Sequence, residues 1–289
     1  MIDFVKCRVY SFPAFALLIA AFASLLYYRG GFRYSIDFTG GTQLIVRFDK
    51  APDLGHIRDV LKGGNWTGVD VSEFDRSNVR IRVQDVSIET AGKIIDTIQK
   101  DMPETKAELL QNDLVSSSTE RTLIWSAIKA VLLALLAILC YIFIRFKISF
   151  ALGAICALIH DTFVILSAFL LLNWEISIDA IAAILMILAY SNNDTIVIFS
   201  RIRERMKEYA GKLSMKDIVN EAIKSTLSRT LLTSFATALV VVSLLIFGGE
   251  VLRTLAFTLL VGIIFGTYSS IFIASPVMLL FQKNDGPEK

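Results

Sequence analysis

Hydrophobic residues in this chain gather into six long runs, and between the first and second of them lies one long polar interval. The runs are Phe12 to Tyr28, Leu123 to Ile144, Ile148 to Leu172, Ile176 to Phe199, Arg229 to Phe247 and Leu252 to Phe281. Each approaches the ~20 mostly apolar residues that a helix needs to cross hydrocarbon, so the pattern predicts a bundle of six transmembrane helices. The polar interval, residues 29–122, has shorter periods. "GTQLIVRF" alternates as a strand does, and "PDLGHIRDVLKG" repeats at helical spacing up to Gly63. "VDVSEF" and "NVRIRVQD" read as two strands joined by a turn at Asp75 to Asn78, "SIETAGKIIDTIQKDM" is helical, and "KAELLQNDLV" is a weaker last strand. The order βαββαβ predicts an inserted α+β domain of the split-βαβ, ferredoxin-like kind, with an antiparallel sheet and both helices on one face. That arrangement recurs under many functions and assigns none.

Beyond the fourth run, "SMKDIVNEAIKSTLSRT" opens with Ser214 and Asp217 at capping-box spacing and puts Met215, Ile218, Val219, Ala222 and Ile223 on one face. It predicts an amphipathic helix near residues 214–227, either lying along the cytoplasmic interface or serving as a solvated link between two spans. In the last run Gly262 and Gly266 stand four apart, which predicts close approach of two helices, with a helix kink as the other reading. Five helices should thus fill residues 123–281, after residues 1–28 supply a tail and the first span. The polar tail, residues 282–289, is expected to be disordered.

Composition strengthens the membrane reading. Hydrophobic residues make up 54% of the 289, charged ones 19%, and mean hydropathy is +0.60; a soluble globule has nearer ~45–50% apolar residues. Lys and Arg accumulate in cytoplasmic connections. Lys6 and Arg8 precede the first run, Arg145 and Lys147 follow the second, and Arg201, Arg203, Arg205, Lys207, Lys212, Lys216 and Lys224 follow the fourth. The opposite turns, "NWE" and "FGGEVLR", contain only Arg253. Both termini are therefore expected in the cytoplasm and the large domain outside. The basic tail, first run and "AFAS" at Ala21 to Ser24 also describe a cleavable signal peptide, which would deliver the remainder to the same side.

Other chemistries are excluded in turn. Residues 29–121 carry 13 Lys and Arg against 15 Asp and Glu, too neutral for a nucleic-acid surface. No nucleotide-binding G-x-x-x-x-G-K-[ST] loop is present: "GKLS" at Gly211 lacks its upstream glycine, where Met206 stands. His56 and His160 lie on opposite kinds of segment and make no metal-site spacing, so neither metal nor cofactor is expected. Cys7, Cys140 and Cys156 say nothing of the redox compartment.

Polar residues inside the runs are the candidates for chemistry. Lys129 and Asp179 lie near the outer ends of their runs, where a lysine can snorkel and an aspartate can cap. His160 and Asp161 fall at the midpoint of the third run, and a carboxyl group there must be protonated, paired or hydrated, for function or for scaffold. The fourth run carries Ser191, Asn192, Asn193, Asp194 and Thr195 consecutively. Positions 190, 191, 194, 195 and 198 crowd one side of a helix, a face that belongs against other helices or water. Arg229 is the cation expected to approach Asp194 from the same membrane side. Desolvation favours a protonated carboxyl and a nearby guanidinium favours the ionised form, so moving helices could load and release a proton. The proton-coupling set read this way is Asp194, Arg229, Asn193, Ser191, Thr195, His160 and Asp161. Each charge crossing gains ~2.3 kcal/mol per 100 mV. A rival from another class makes Ser191 the nucleophile of an intramembrane hydrolase assisted by His160 and Asp161, but no G-x-S-x-G elbow accompanies it.

Five stretches then look familiar together: "IDFTGGT" (Ile36 to Thr42), "ALIHD" (Ala157 to Asp161), "YSNNDTIVIFSRIRE" (Tyr190 to Glu204), "TLSRTLLTS" (Thr226 to Ser234) and "GTYSSIFIASP" (Gly266 to Pro276). In order and spacing, from about residue 30 to 280, they resemble the SecF family of bacterial protein-export subunits, within the resistance-nodulation-division superfamily. The resemblance implies six spans with one large external ferredoxin-like domain, in the bacterial inner membrane. It also implies a SecD partner, association with the SecY translocon and contact with a translocating unfolded polypeptide. The implied activity is use of the proton-motive force in late translocation, with no covalent catalysis and so no enzyme. A proton-coupled half-transporter for a small molecule or lipid is the alternative within the superfamily. By the same resemblance Asp194 is the proton-responsive carboxylate and Arg229 the arginine of the fifth-span motif. Gly40 and Gly41 form the external glycine pair that permits a bend or close backbone approach between domain and membrane. Three positions depart from the family pattern: Ala189 for Gly, Asn192 for an apolar residue, and Ser200 for Asp.

Overall fold

In chain order the elements are α1 (Arg8–Arg29), β1 (Gly41–Phe48), α2 (Leu54–Gly63), β2 (Asp70–Asp75), β3 (Asn78–Val83), α3 (Thr90–Asp101), β4 (Ala107–Val115) and α4 (Ser117–Arg145). They continue as α5 (Ile148–Leu172), α6 (Ile178–Glu208), α7 (Met215–Phe247), α8 (Gly249–Ser269), a π-helical turn at Ser270–Ala274, and α9 (Ser275–Phe281). This computed structural model describes all residues except 1–2, 7, 50–51, 65, 76–77, 88, 104, 116, 210–211 and 283–289. The tail expected to be disordered thus lies, beyond Gln282, outside the described residues, as does the middle of the turn at Asp75 to Asn78. Contacts divide the chain into two units, Met1–Arg33 with Ala130–Lys289, and Tyr34–Lys129.

In the smaller unit the strands form one antiparallel sheet in the order β2-β3-β1-β4. Alternation sends Leu44, Val46 and Phe48 of β1 to one face, and Leu44 pairs with Ile81 as Val46 pairs with Val79. Ile57 and Leu61 of α2, and Ala91, Ile94 and Ile98 of α3, bury in that same cluster, so both helices cover one face. Asp53 starts α2 by accepting from the Gly55 and His56 amides at 2.8 and 3.4 Å. Gly40 and Gly41 precede and open β1 with φ of 69° and 124°. A Cβ on Gly41 would stand 2.5 Å from the Val83 carbonyl oxygen, so here the close backbone approach lies within the domain, against the end of β3.

The larger unit holds helices long and apolar enough to cross a membrane, six of them among the described residues. Leu132, Leu133, Leu136 and Ile144 of α4 are exposed, which hydrocarbon tolerates and water would not. Small residues let α5, α6, α8 and α9 approach closely. A Cβ on Gly153 would overlap the Ala274 carbonyl, one on Gly262 the Ile187 side chain, and one on Gly266 would lie 2.8 Å from Ser191 Cβ.

One expectation is corrected. The amphipathic segment near residues 214–227 is not a separate link, because it is the first part of α7, which runs unbroken from Met215 to Phe247. Ser214 caps it, accepting from the Asp217 amide at 3.2 Å. Its apolar face meets protein: Val219, Ala222 and Ile223 bury with Phe150, Phe199 and Ile202. Phe4 and Val5 of the amino-terminal segment join that cluster. Asn220 binds both the Val5 amide (3.1 Å) and the Asp3 carboxylate (3.0 Å). The Lys216 ammonium, 2.7 Å away, holds the Asp3 carboxyl down at about 2, below its ordinary 3.8.

Candidate functional site

Two buried carboxylates organise the polar interior of the larger unit. Asp161 of α5 is 1% exposed and Asp194 of α6 is 5% exposed. Helix α6 is capped by Ser177, whose Oγ accepts from the Ala180 amide at 3.2 Å, while Asp179 in the first turn stays exposed. From there the 100° step per residue distributes the polar run. Tyr190 and Asp194 turn towards α7, and Ser191 and Thr195 towards α5 and the π-helical turn. The single polar face read from spacing is therefore two adjacent faces serving two networks.

Around Asp161, Oδ2 accepts from Ser191 Oγ at 2.5 Å and from Ser269 Oγ at 2.9 Å, and Oδ1 lies 3.0 Å from His160 Nδ1. The His160 ring sits between Phe15 and Tyr268, with centroids 5.3 and 6.0 Å away. Next to this network Thr195 Oγ1 is 2.8 Å from Ser270 Oγ, which also donates to the Ser191 carbonyl at 3.2 Å. The hydrolase arrangement is not formed. The carboxylate stands between hydroxyl and imidazole, and among the described residues the side chain bonded to Ser191 Oγ is Asp161 rather than His160, so the hydroxyl–imidazole pair of a serine triad is not assembled.

Around Asp194 the geometry is a short hydroxyl chain. Ser234 Oγ donates to Asp194 Oδ2 at 3.3 Å, Ser234 Oγ and Thr267 Oγ1 are 2.7 Å apart, and Thr267 Oγ1 lies 2.9 Å from the Ile263 carbonyl oxygen. When Asp194 is ionised, Thr267 donates to Ser234 and Ser234 to the carboxylate. When it is protonated, each bond can reverse, ending on the Ile263 carbonyl. The same atoms satisfy both protonation states without an orphaned donor.

Two expected members are absent from these networks. Arg229 is exposed, and among the described residues no ion pair within 4.0 Å joins it to Asp194. It precedes Ser234 by five residues, or ~140° around α7, so it does not share the hydrogen bonds that Ser234 makes, but its charge still acts on Asp194 from a distance. Asn193 is likewise exposed, one 100° step from Asp194. Conversely Ser234, Thr267, Ser269 and Ser270 were missed. Their signal was hydroxyl residues within apolar runs, in "TLLTS" and one turn beyond Gly266 in "GTYSS".

Asn192 is 6% exposed, and its Oδ1 has no hydrogen-bond partner among the described residues. An unmet buried acceptor costs about 1–3 kcal/mol. Asn192→Leu, which has the same branched skeleton with methyl groups in place of the amide atoms, is expected to stabilise the chain by about 1 kcal/mol, read as a higher unfolding temperature in detergent. A lower temperature would show that the amide is satisfied in the membrane.

The family model described as protein export membrane protein SecD/SecF, C-terminal, matches residues 94–284, and the SecD/SecF GG motif matches residues 30–52. The protein translocase subunit SecF of Rhodothermus marinus is 43% identical over 272 residues, 91% of this chain and 87% of that protein. Its counterpart in Calditerrivibrio nitroreducens is 38% identical over 97% of this chain and 94% of its own length. The crystal structure of SecDF, a translocon-associated membrane protein from Thermus, is 34% identical with a TM-score of 0.88. The match covers 97% of this chain but 38% of the SecDF chain.

Proposed function

The chain belongs to the SecD/SecF family of protein-export membrane proteins, and we propose that it serves the Sec machinery as the SecF-type partner of SecD, using the proton-motive force in late steps of polypeptide translocation. Asp194 carries this reading: a carboxylate buried in a helix fit to span the membrane, with a hydroxyl chain that accommodates it charged or neutral. A helix shift that brought Arg229 close would favour the ionised form and expel the proton. Asp161, His160, Ser191 and Thr195 form the neighbouring half of the same interior and belong to the coupling set.

In this reading the chain lies in the bacterial inner membrane, in contact with lipid, with residues 29–122 external and both termini cytoplasmic. The sheet order and the two helices on one face support a ferredoxin-like external domain. Its work is conformational, on an unfolded client delivered through SecY, with no bond made or broken. The test is purification from membranes followed by export into inverted vesicles. SecD and SecY should copurify, and vesicles depleted of the chain should export equally with and without an uncoupler until it is restored. Purification without SecD, or restored export indifferent to the uncoupler, would overturn the proposal.

A further inference from the structure

We propose that the corner between α4 and α5 binds the phosphate of an anionic phospholipid. Arg145 ends α4, Lys147 precedes the first turn of α5, and Arg203 reaches the same place from α6. The guanidinium carbons of Arg145 and Arg203 lie 5.7 and 5.3 Å from the centroid of one ring, that of Phe146. Arg203 Nη1 also donates to the Arg145 carbonyl oxygen at 3.0 Å, which satisfies the end of α4 and fixes the guanidinium.

Two guanidiniums on one ring repel each other, and no carboxylate lies within 4.0 Å of either among the described residues. The nearest acidic side chains of α6 are engaged elsewhere: Glu204 pairs with Arg201 at 2.6 Å and Glu208 with Arg205 at 2.5 Å. Residues 121–160 contain no Asp or Glu at all. Among the described residues nothing supplies a countercharge to Arg145 and Arg203, and paired guanidiniums match phosphate oxygens in geometry and charge.

The surroundings identify the source of the phosphate. Ile144 is 87% exposed and Ile148 68% exposed, immediately flanking the basic residues, and Tyr141 and Phe143 of α4 are exposed beside them. A free phosphate would leave this apolar surface unused. A phospholipid covers it with acyl chain while its head group meets the arginines, as basic pockets between spans do. The bound lipid would also brace α4, whose buried contacts are at this end, through Ile142 and, just beyond the helix, Phe146.

The inference does not rest on the export reading. To test it, the full chain is purified in neutral detergent, stripped of lipid, and titrated with phosphatidylglycerol, phosphatidylethanolamine or inorganic phosphate under native mass spectrometry. Phosphatidylglycerol should bind in preference to phosphatidylethanolamine. Arg145→Gln should weaken it roughly fivefold and Arg145→Gln with Arg203→Gln roughly 25-fold, while Lys212→Gln with Lys224→Gln leaves it unchanged. Unfolding temperatures without lipid separate lost binding from lost fold, and Arg145→Gln, at an exposed position, carries the test if the double variant is unstable. Equal binding of the two lipids, or no effect of Arg145→Gln, would overturn the proposal. So would displacement of phosphatidylglycerol by millimolar inorganic phosphate, which would make this a site for the free anion.

Discussion

An Asp194→Asn chain is expected to fold, to associate with SecD, and to support export at one rate whether or not a proton gradient is present. The asparagine keeps the volume of the aspartate, and its Oδ1 can still accept from Ser234, so packing between α6, α7 and α8 should persist. What it cannot do is gain and lose a proton, so no proton can pass between it and the Ser234–Thr267 chain. A 100 mV potential contributes ~2.3 kcal/mol per transferred proton. That is a factor of about 50 in rate where the full difference reaches the limiting step. Reconstituted vesicles with and without an uncoupler measure this directly: the normal chain should lose export when the gradient collapses, and Asp194→Asn should show no difference. Retained gradient dependence in the variant would remove Asp194 from the proton step.

How far the site could be read from the chain depends on which physical constraint each part obeys. Spanning hydrocarbon demands long apolar runs, so six helices are visible from residue order alone. The true start of α7 is less visible, since its capping serine lies 15 residues before the apolar run at Arg229, and only the buried cluster around Val219 and Ala222 explains why the helix does not break between them. Helical spacing correctly separates the buried positions 191, 194 and 195 from the exposed Asn193, which entered the candidate set merely by adjacency. Spacing knows only its own helix, however. It could not register α7 against α6, and so could not tell that Ser234, rather than Arg229, would meet Asp194. Nor could it join Asp161 to Ser191 across 30 positions, a pairing set by how the glycines of α8 bring Ser269 and Ser191 to the same carboxylate.

That second carboxylate separates packing from proton chemistry more sharply than the first. Asp161→Ala is expected to destabilise the chain by about 1–3 kcal/mol, because Ser191 and Ser269 on two other helices lose their acceptor and each interhelical bond of this kind is worth about 0.6–1.7 kcal/mol in a membrane. The donors left behind are Ser191, Ser269 and His160, on three helices, with no other carboxylate in their network to turn to. Asp161→Asn should recover most of that loss, since one amide oxygen can accept from both serines as Oδ2 does now. Unfolding in detergent measures the first effect, and an alanine variant as stable as the normal chain would show that the network holds nothing together. Gradient-dependent export measures the second. If Asp161→Asn is stable but indifferent to the gradient, Asp161 shares the proton step with Asp194 through Ser191 and Thr195, which stand one turn apart on α6. If it is stable and still gradient-dependent, the buried carboxylate is the fastening of α5, α6 and α8, and the travelling proton visits Asp194 alone.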